Sequence, residues 1–227
     1  MPGISKRVPR VVRSGAGETG ARAMSVSVKE YYRALYKQHG DNHNAVQWSD
    51  RRTQYKRFEI LAGIDNKMRS LVDVGCGLGD MLPYLKARGF RGKYTGVDIV
   101  PEFIERCREK FSRECNASFH TLDVSRDPLP RGADYYLLSG AFNNPNPENH
   151  SFMLNCISKM FLAARKGAAF NALSTYVDYQ VGHLYYSDPL EVFDFCKRKL
   201  TRKVVLRHDY LVKKNSIPFE YTIYLYT

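Results

Sequence analysis

The stretch LVDVGCGLGD (71–80) constrains this chain more than any other. An apolar run leads into three closely spaced glycines, Gly75, Gly77 and Gly79. That pattern marks a strand turning sharply into a helix, with backbone bare enough for a ligand to approach. The loop also carries two carboxylates, Asp73 and Asp80, so its ligand should be cationic rather than a pyrophosphate. A dinucleotide-binding loop would place its third glycine one position later.

Strand and helix signals alternate on from this loop. Strands are expected at 70–76, 93–100, 117–124, 133–142 and 168–175, and helices at 79–89, 101–114, 151–167 and 187–200. Two further strands, 201–212 and 218–227, flank a turn at KKNS and read as an antiparallel pair. Upstream, 28–38 has helical spacing, and Ser49 is placed to cap a second helix ending near Ile64. The expected fold is α/β: a Rossmann-like, seven-stranded, mostly parallel sheet with helices on both faces and a C-terminal antiparallel hairpin. Residues 25–227 read as one domain with an N-terminal helical cap (25–66), preceded by a basic tail (1–24).

The second and third strands end in acids. Asp98 closes GVDIV, 21 residues after Gly77, where a carboxylate can accept hydrogen bonds from both hydroxyls of a ribose. Asp123 closes LDV, where an adenine amino group can donate to it. With the glycine turn, these acids point to S-adenosylmethionine (SAM), whose amino and sulfonium groups are cationic.

Bulk properties narrow the partners. The net charge is +12, and residues 1–23 hold five Lys/Arg against Glu18 alone. A second basic run, 197–214, holds eight against Asp209. Such runs attract phosphate-bearing partners, although most charge runs are solvated faces. The tail has no continuous apolar core and is not a secretory signal. A disordered arm is expected there, while a transit-like segment, or translation upstream of a start at Met24, fits the same residues. No apolar run approaches the ~18–20 residues that span a bilayer, so no membrane role is expected. The five cysteines are scattered, with no CxxC spacing. That argues against a metal site and for a reducing, cytoplasmic setting.

The motifs DVGCGLG, GVDI and LDV, the strand ADYYLLSG and the terminal KVVLRHDYL/FEYTIYLY pair together resemble those of the class I SAM-dependent methyltransferases. Within that family the chain is similar to a little-characterised bacterial group sharing W-S-x-R-x-x-Q-x-x-R-F (Trp48–Phe58) and F-N-x-L-S-T-Y-V-D (Phe170–Asp178). The resemblance implies cofactor contacts from Asp73, Gly75, Cys76, Gly77, Gly79, Asp98, Ile99, Asp123, Val124, Ser139 and Gly140. It also implies that the segment before the first strand closes over the methionine end of SAM. Gln54 and Arg57 are the candidates there, Arg57 for the carboxylate, with Trp48 and Tyr36 near the entrance.

The acceptor should sit beyond the C-terminal strand ends. Phe142, Asn143, Asn171 and Tyr185 are the expected substrate contacts. The stretch YVDYQVGHLYY (176–186) supplies His183 as candidate base, Asp178 to orient it, and Tyr176 as an aromatic wall. SGAFN follows the fourth strand where base-amine and glutamine methyltransferases carry Asn/Asp-Pro-Pro-aromatic. The favoured reading is methyl transfer to a hydroxyl or amine of a small molecule, by a monomer or homodimer. Alternatives are an RNA or protein acceptor held by the basic runs, and a non-catalytic SAM-fold binding module.

Overall fold

The computed structural model describes residues 27–47, 50–145 and 148–227. The basic tail, Trp48 and the proposed cap Ser49 lie outside the described residues. The elements in order are α1 (Val28–His39), a 3-10 turn (His43–Val46), α2 (Arg51–Ala62), β1 (Ser70–Val74), α3 (Met81–Lys86), β2 (Lys93–Asp98) and α4 (Pro101–Lys110). After them come β3 (Ala117–Thr121), β4 (Tyr135–Leu138), α5 (Asn149–Ala163), β5 (Gly167–Leu173), α6 (Pro189–Phe195), β6 (Val204–Arg207) and β7 (Glu220–Tyr226).

The strands form one sheet in the order β3-β2-β1-β4-β5-β7-β6. All pairings among β1 to β5 are parallel, and β7 runs antiparallel to both β5 and β6. Only β7 is reversed. Because β5 is paired on both edges and packed on both faces, every one of its seven residues is buried. One face packs on α5 and α6 through Met153, Ile157, Met160 and Val192. The other packs on α2 and α3 through Phe58, Leu61, Met81 and Leu85.

Local chemistry sets the boundaries. Asp50, not Ser49, caps α2, its Oδ1 accepting from the Thr53 N–H at 2.7 Å. Ser27 and Glu30 form a reciprocal capping box at the start of α1. The strands stop short of their expected ends because the chain there turns to make the cleft. After β1, the Gly75 and Cys76 N–H groups both donate to the Val97 carbonyl, at 2.8 and 3.0 Å. That curls the backbone around the end of β2. The expected helix at 187–200 is α-helical only to Phe195, then widens into one π turn (Cys196–Leu200). β6 and β7 are joined by residues 208–219, a longer connection than the KKNS turn implied. No helix among the described residues is long and apolar enough to cross a membrane.

Candidate active site

The C-terminal ends of the parallel strands open into a cleft of about 500 Å³. Its floor is the turn after β1. Gly75 and Gly77 sit there at φ +72° and +53°, conformations that side chains other than glycine's rarely allow. A Cβ on Gly77 would come within 2.8 Å of Val46, so the glycine lets the 3-10 turn lie directly over the loop. Gly79 also has positive φ but does not line the cleft; a Cβ there would strike the Phe111 ring at 2.7 Å. Its bareness admits the end of α4.

Asp98 holds this turn together. Its Oδ2 accepts the Gly77 N–H at 2.8 Å and its Oδ1 the Val100 N–H at 2.9 Å. Burial raises its pKa, while those backbone donors work against the rise. Asp73, on β1, accepts from the Tyr94 hydroxyl, and burial pushes its pKa up to about 7. Asp123 lines the same cleft, its Oδ1 accepting from the Ser125 N–H at 2.9 Å. Cys76, Ile99, Val124, Ser139 and Gly140 line it as well. Burial raises the Cys76 thiol well above its ordinary range, which leaves it inert.

Three buried polar atoms on the cleft wall have no hydrogen-bond partner: Gln54 Oε1, Ser139 Oγ and Asn143 Oδ1. Buried acceptors of this kind normally find donors, so their orphaned state marks where a ligand's N–H or O–H groups fit. Gln54 is steered there from its other end, where Nε2 donates to Asp80 Oδ2 at 3.2 Å.

Behind the cleft lies a buried ionic network. Arg57 donates from Nε to both oxygens of Glu220, at 2.9 and 3.0 Å, and from Nη2 to Oε1. Asn171 Nδ2 donates to Glu220 Oε2 at 2.9 Å, and Asn171 Oδ1 accepts the Gly140 N–H at 2.9 Å. Arg57 lines the cleft, but its charge is met by a carboxylate from β7 rather than left for a ligand. Asn171, expected to touch substrate, instead ties β5 to the turn after β4 and does not line the cleft.

Several acceptor-side expectations are also revised. Phe142 is 2 % exposed, edge-on to Phe152 and Phe170, and belongs to the core. Tyr185 packs on that core, and only its backbone N–H acts locally, donating to the Asn143 carbonyl at 2.9 Å. Tyr176 and Asp178 are exposed and off the cleft, with the Tyr176 ring beside His208. The 174–187 segment bows outward between bonds that close its two ends, so its middle projects away from the strand edge. His183 and Leu184 alone of the 176–186 stretch line the cleft.

Tyr32, Gln47, Asn144, Lys213 and Glu220 line the cleft but were not among the expected residues. The Tyr32 hydroxyl donates to Gln47 Oε1 at 3.0 Å and accepts from Asn144 Nδ2 at 2.7 Å. It thereby latches α1 across the cleft to the turn after β4. Burial pushes the Tyr32 pKa to about 12, so it stays a donor. Glu220 had a visible signal: it is the one carboxylate in a strand otherwise built of tyrosine, threonine, isoleucine and leucine, and such a carboxylate needs a partner.

A family profile described as "Methyltransferase domain" matches residues 71–162. A Mycobacterium tuberculosis protein provisionally named as a methyltransferase is 37% identical over 147 residues, covering 62% of this chain and 86% of its own length. The chain belongs to the class I SAM-dependent methyltransferases. The malonyl-[acyl-carrier protein] O-methyltransferase of Acetivibrio thermocellus is 27% identical over 141 residues, which cover 62% of this chain and 46% of that one. The N-methyltransferase NodS from Bradyrhizobium japonicum, solved with S-adenosylhomocysteine (SAH), superposes with TM-score 0.62 at 15% identity, covering 86% of this chain and 97% of that one. Magnesium protoporphyrin IX methyltransferase from Synechocystis, solved with SAM, gives 0.62 at 13% identity, covering 92% and 99%. At those identities the shared property is the fold. SAM is the cofactor of this methyltransferase, and the acid-lined, orphan-acceptor cleft has the chemistry to take it.

Two consequences can be measured. Removing the Glu220 carboxylate leaves the Arg57 guanidinium buried without its counter-charge, so Glu220→Ala should lower stability by about 3–5 kcal/mol in chemical denaturation. The raised pKa of Asp73 sets a pH trend. Between its unfolded value of 3.8 and about 7 the folded state binds the extra proton, so stability falls as pH rises through this window. Keeping Asp73 ionised at pH 8 then costs up to about 4 kcal/mol. Asp73→Asn should accordingly raise Tm at pH 8 more than at pH 5, and an equal change at both would refute the buried-charge assignment.

Proposed function

We propose that this enzyme methylates a hydroxyl or amine of a small molecule, with residues 25–227 acting as one catalytic unit capped by α1 and α2. The observation that carries this is a single cleft lined both by Asp73, Asp98 and Asp123 and by Asn143, Phe152, Leu184 and His183. Its volume of about 500 Å³ falls in the small-molecule range. The five free thiols support a reducing, cytoplasmic setting.

Bound SAM supplies a methyl group already activated by its positive sulfur. The chain's own work is then alignment and exclusion of water. In this reading Asp98 receives the ribose hydroxyls, Asp123 the adenine amino group, and Asp73 with Gln54 Oε1 the ammonium. The backbone of Gly75 and Gly77 lies flat against the cofactor. Tyr32 and Asn144 keep α1 closed over it. Asn143 Oδ1 accepts a hydrogen bond from the substrate's N–H or O–H and so orients the group to be methylated. His183, exposed at the cleft, takes the proton that the acceptor atom loses as its bond to the methyl carbon forms and the carbon–sulfur bond breaks.

Isothermal titration with SAH should show binding to the wild type that Asp98→Ala abolishes in a folded protein. Failure of the wild type to bind would remove the cofactor assignment. Once a metabolite screen with labelled SAM identifies the acceptor, His183→Ala should lower kcat by about 10²-fold or more while leaving SAH affinity intact. An unchanged kcat would take the base role from His183.

A further inference from the structure

A second cavity, of about 690 Å³, lies at the opposite edge of the sheet, where β1 and β2 begin. β2 runs six residues from Lys93 to Asp98, which at ~3.3 Å per residue puts this cavity roughly 16–20 Å from the SAM cleft. Five cations line it: Lys67, Arg69, Arg88, Arg91 and Lys93. None of the five forms an ion pair with a described residue. The two acids on its wall are engaged, Glu59 with Lys56 at 2.8 Å and Asp65 Oδ1 with the Lys67 N–H at 2.8 Å.

Backbone geometry concentrates these cations. A Cβ on Gly92 would fall 2.2 Å from the Arg69 carbonyl, and the Lys93 N–H donates to that same carbonyl at 2.9 Å. The bare glycine thus lets the loop after α3 cross the start of β1, setting Arg69, Arg91 and Lys93 side by side. Five cations against two carboxylates leave an excess of like charge, which repels itself unless an anion joins it.

The second observation is Tyr84, on α3. The residue is 1 % exposed, its ring is 5.1 Å from Tyr55 and 5.6 Å from Phe58, and its hydroxyl donates to no described residue. Tyr84 lines the cavity, and the Arg88 guanidinium carbon sits 3.8 Å from the centroid of its ring. A guanidinium stacked on an aromatic face keeps its edge donors available for a bidentate oxyanion. A buried tyrosine hydroxyl whose proton meets no acceptor normally finds one when its site is filled.

We propose that this cavity is a second ligand site, for a small molecule carrying two or more phosphate groups. The Tyr84 hydroxyl donates to one phosphate oxygen, and Arg88, Arg69 and Lys93 supply the charge. Five cations spread over a cavity of this volume exceed what a single phosphate can touch. The inference does not depend on the acceptor assignment.

Inorganic pyrophosphate is the probe, titrated calorimetrically into the full chain with SAH saturating, so that the SAM cleft is blocked. Saturable binding at one site per chain is expected. Tyr84→Phe keeps the ring and its packing but removes the donor, and should weaken binding by about tenfold. Arg69→Met with Lys93→Met should abolish binding, whereas Lys199→Met with Arg202→Met, which removes the same charge at exposed positions lining neither cavity, should leave it unchanged. SAH affinity, measured on each variant, should stay at the wild-type value. Absence of saturation, an effect of the Lys199/Arg202 pair equal to that of the Arg69/Lys93 pair, or a Tyr84→Phe variant binding like wild type would each overturn the proposal.

Discussion

The architecture around the cleft depends on one buried ion pair. Arg57 from α2 and Glu220 from β7 are both sequestered from water, at 8% and 0% side-chain exposure. A lone charge at either position would be intolerable in the interior, so each element can take its place only if the other is present. Asn171 extends the constraint to β5 and, through the Gly140 N–H, to the turn after β4. Four separate segments that border the cleft are therefore set in position by a single chain of hydrogen bonds. A well-packed apolar cluster could supply comparable stability. It would not fix the direction of the turn that presents Ser139, Gly140 and Asn143.

The electrostatics of the cleft run against those of the whole molecule. A chain of net charge +12 concentrates carboxylates at the ends of its first strands. The protein matrix around Asp73 and Asp98 disfavours their ionised forms, and the hydrogen bonds they accept do not fully compensate. That imbalance suits a cationic ligand. The field such a ligand meets is strong because the site without it is uncomfortable, a local cost in stability set against function.

How much could be read from residues alone depended on distance along the chain. The glycine turn, Asp98 and the alternation of strand and helix were legible, because each rests on contacts within about twenty residues or on simple periodicity. Glu220 and Arg57 are separated by 163 positions, and Tyr32 and Asn144 by 112, so no local pattern could pair them. Arg57 was legible as a candidate cation for the cleft, but not as one already neutralised by Glu220. Tyr176 and Asp178 misled in the opposite direction: they follow a buried strand closely, yet the segment bows out and exposes them. A run rich in tyrosine and titratable groups says little until the path of its backbone is known.

The reversed direction of β7 has a consequence for the order in which the molecule forms. Since β7 runs opposite to its neighbours, its first residue, Glu220, reaches the edge that carries the cleft, and the strand must slot between β5 and β6 to get there. During synthesis α2 and the glycine turn emerge long before that strand exists. Arg57 must stay hydrated in the interval, because burying it early would strand its charge. The parallel half of the sheet can collapse on local contacts, but the α2 side of the cleft has to wait for a loop closure of more than 160 residues. The nascent chain is thereby kept from closing this cleft before the sheet is complete.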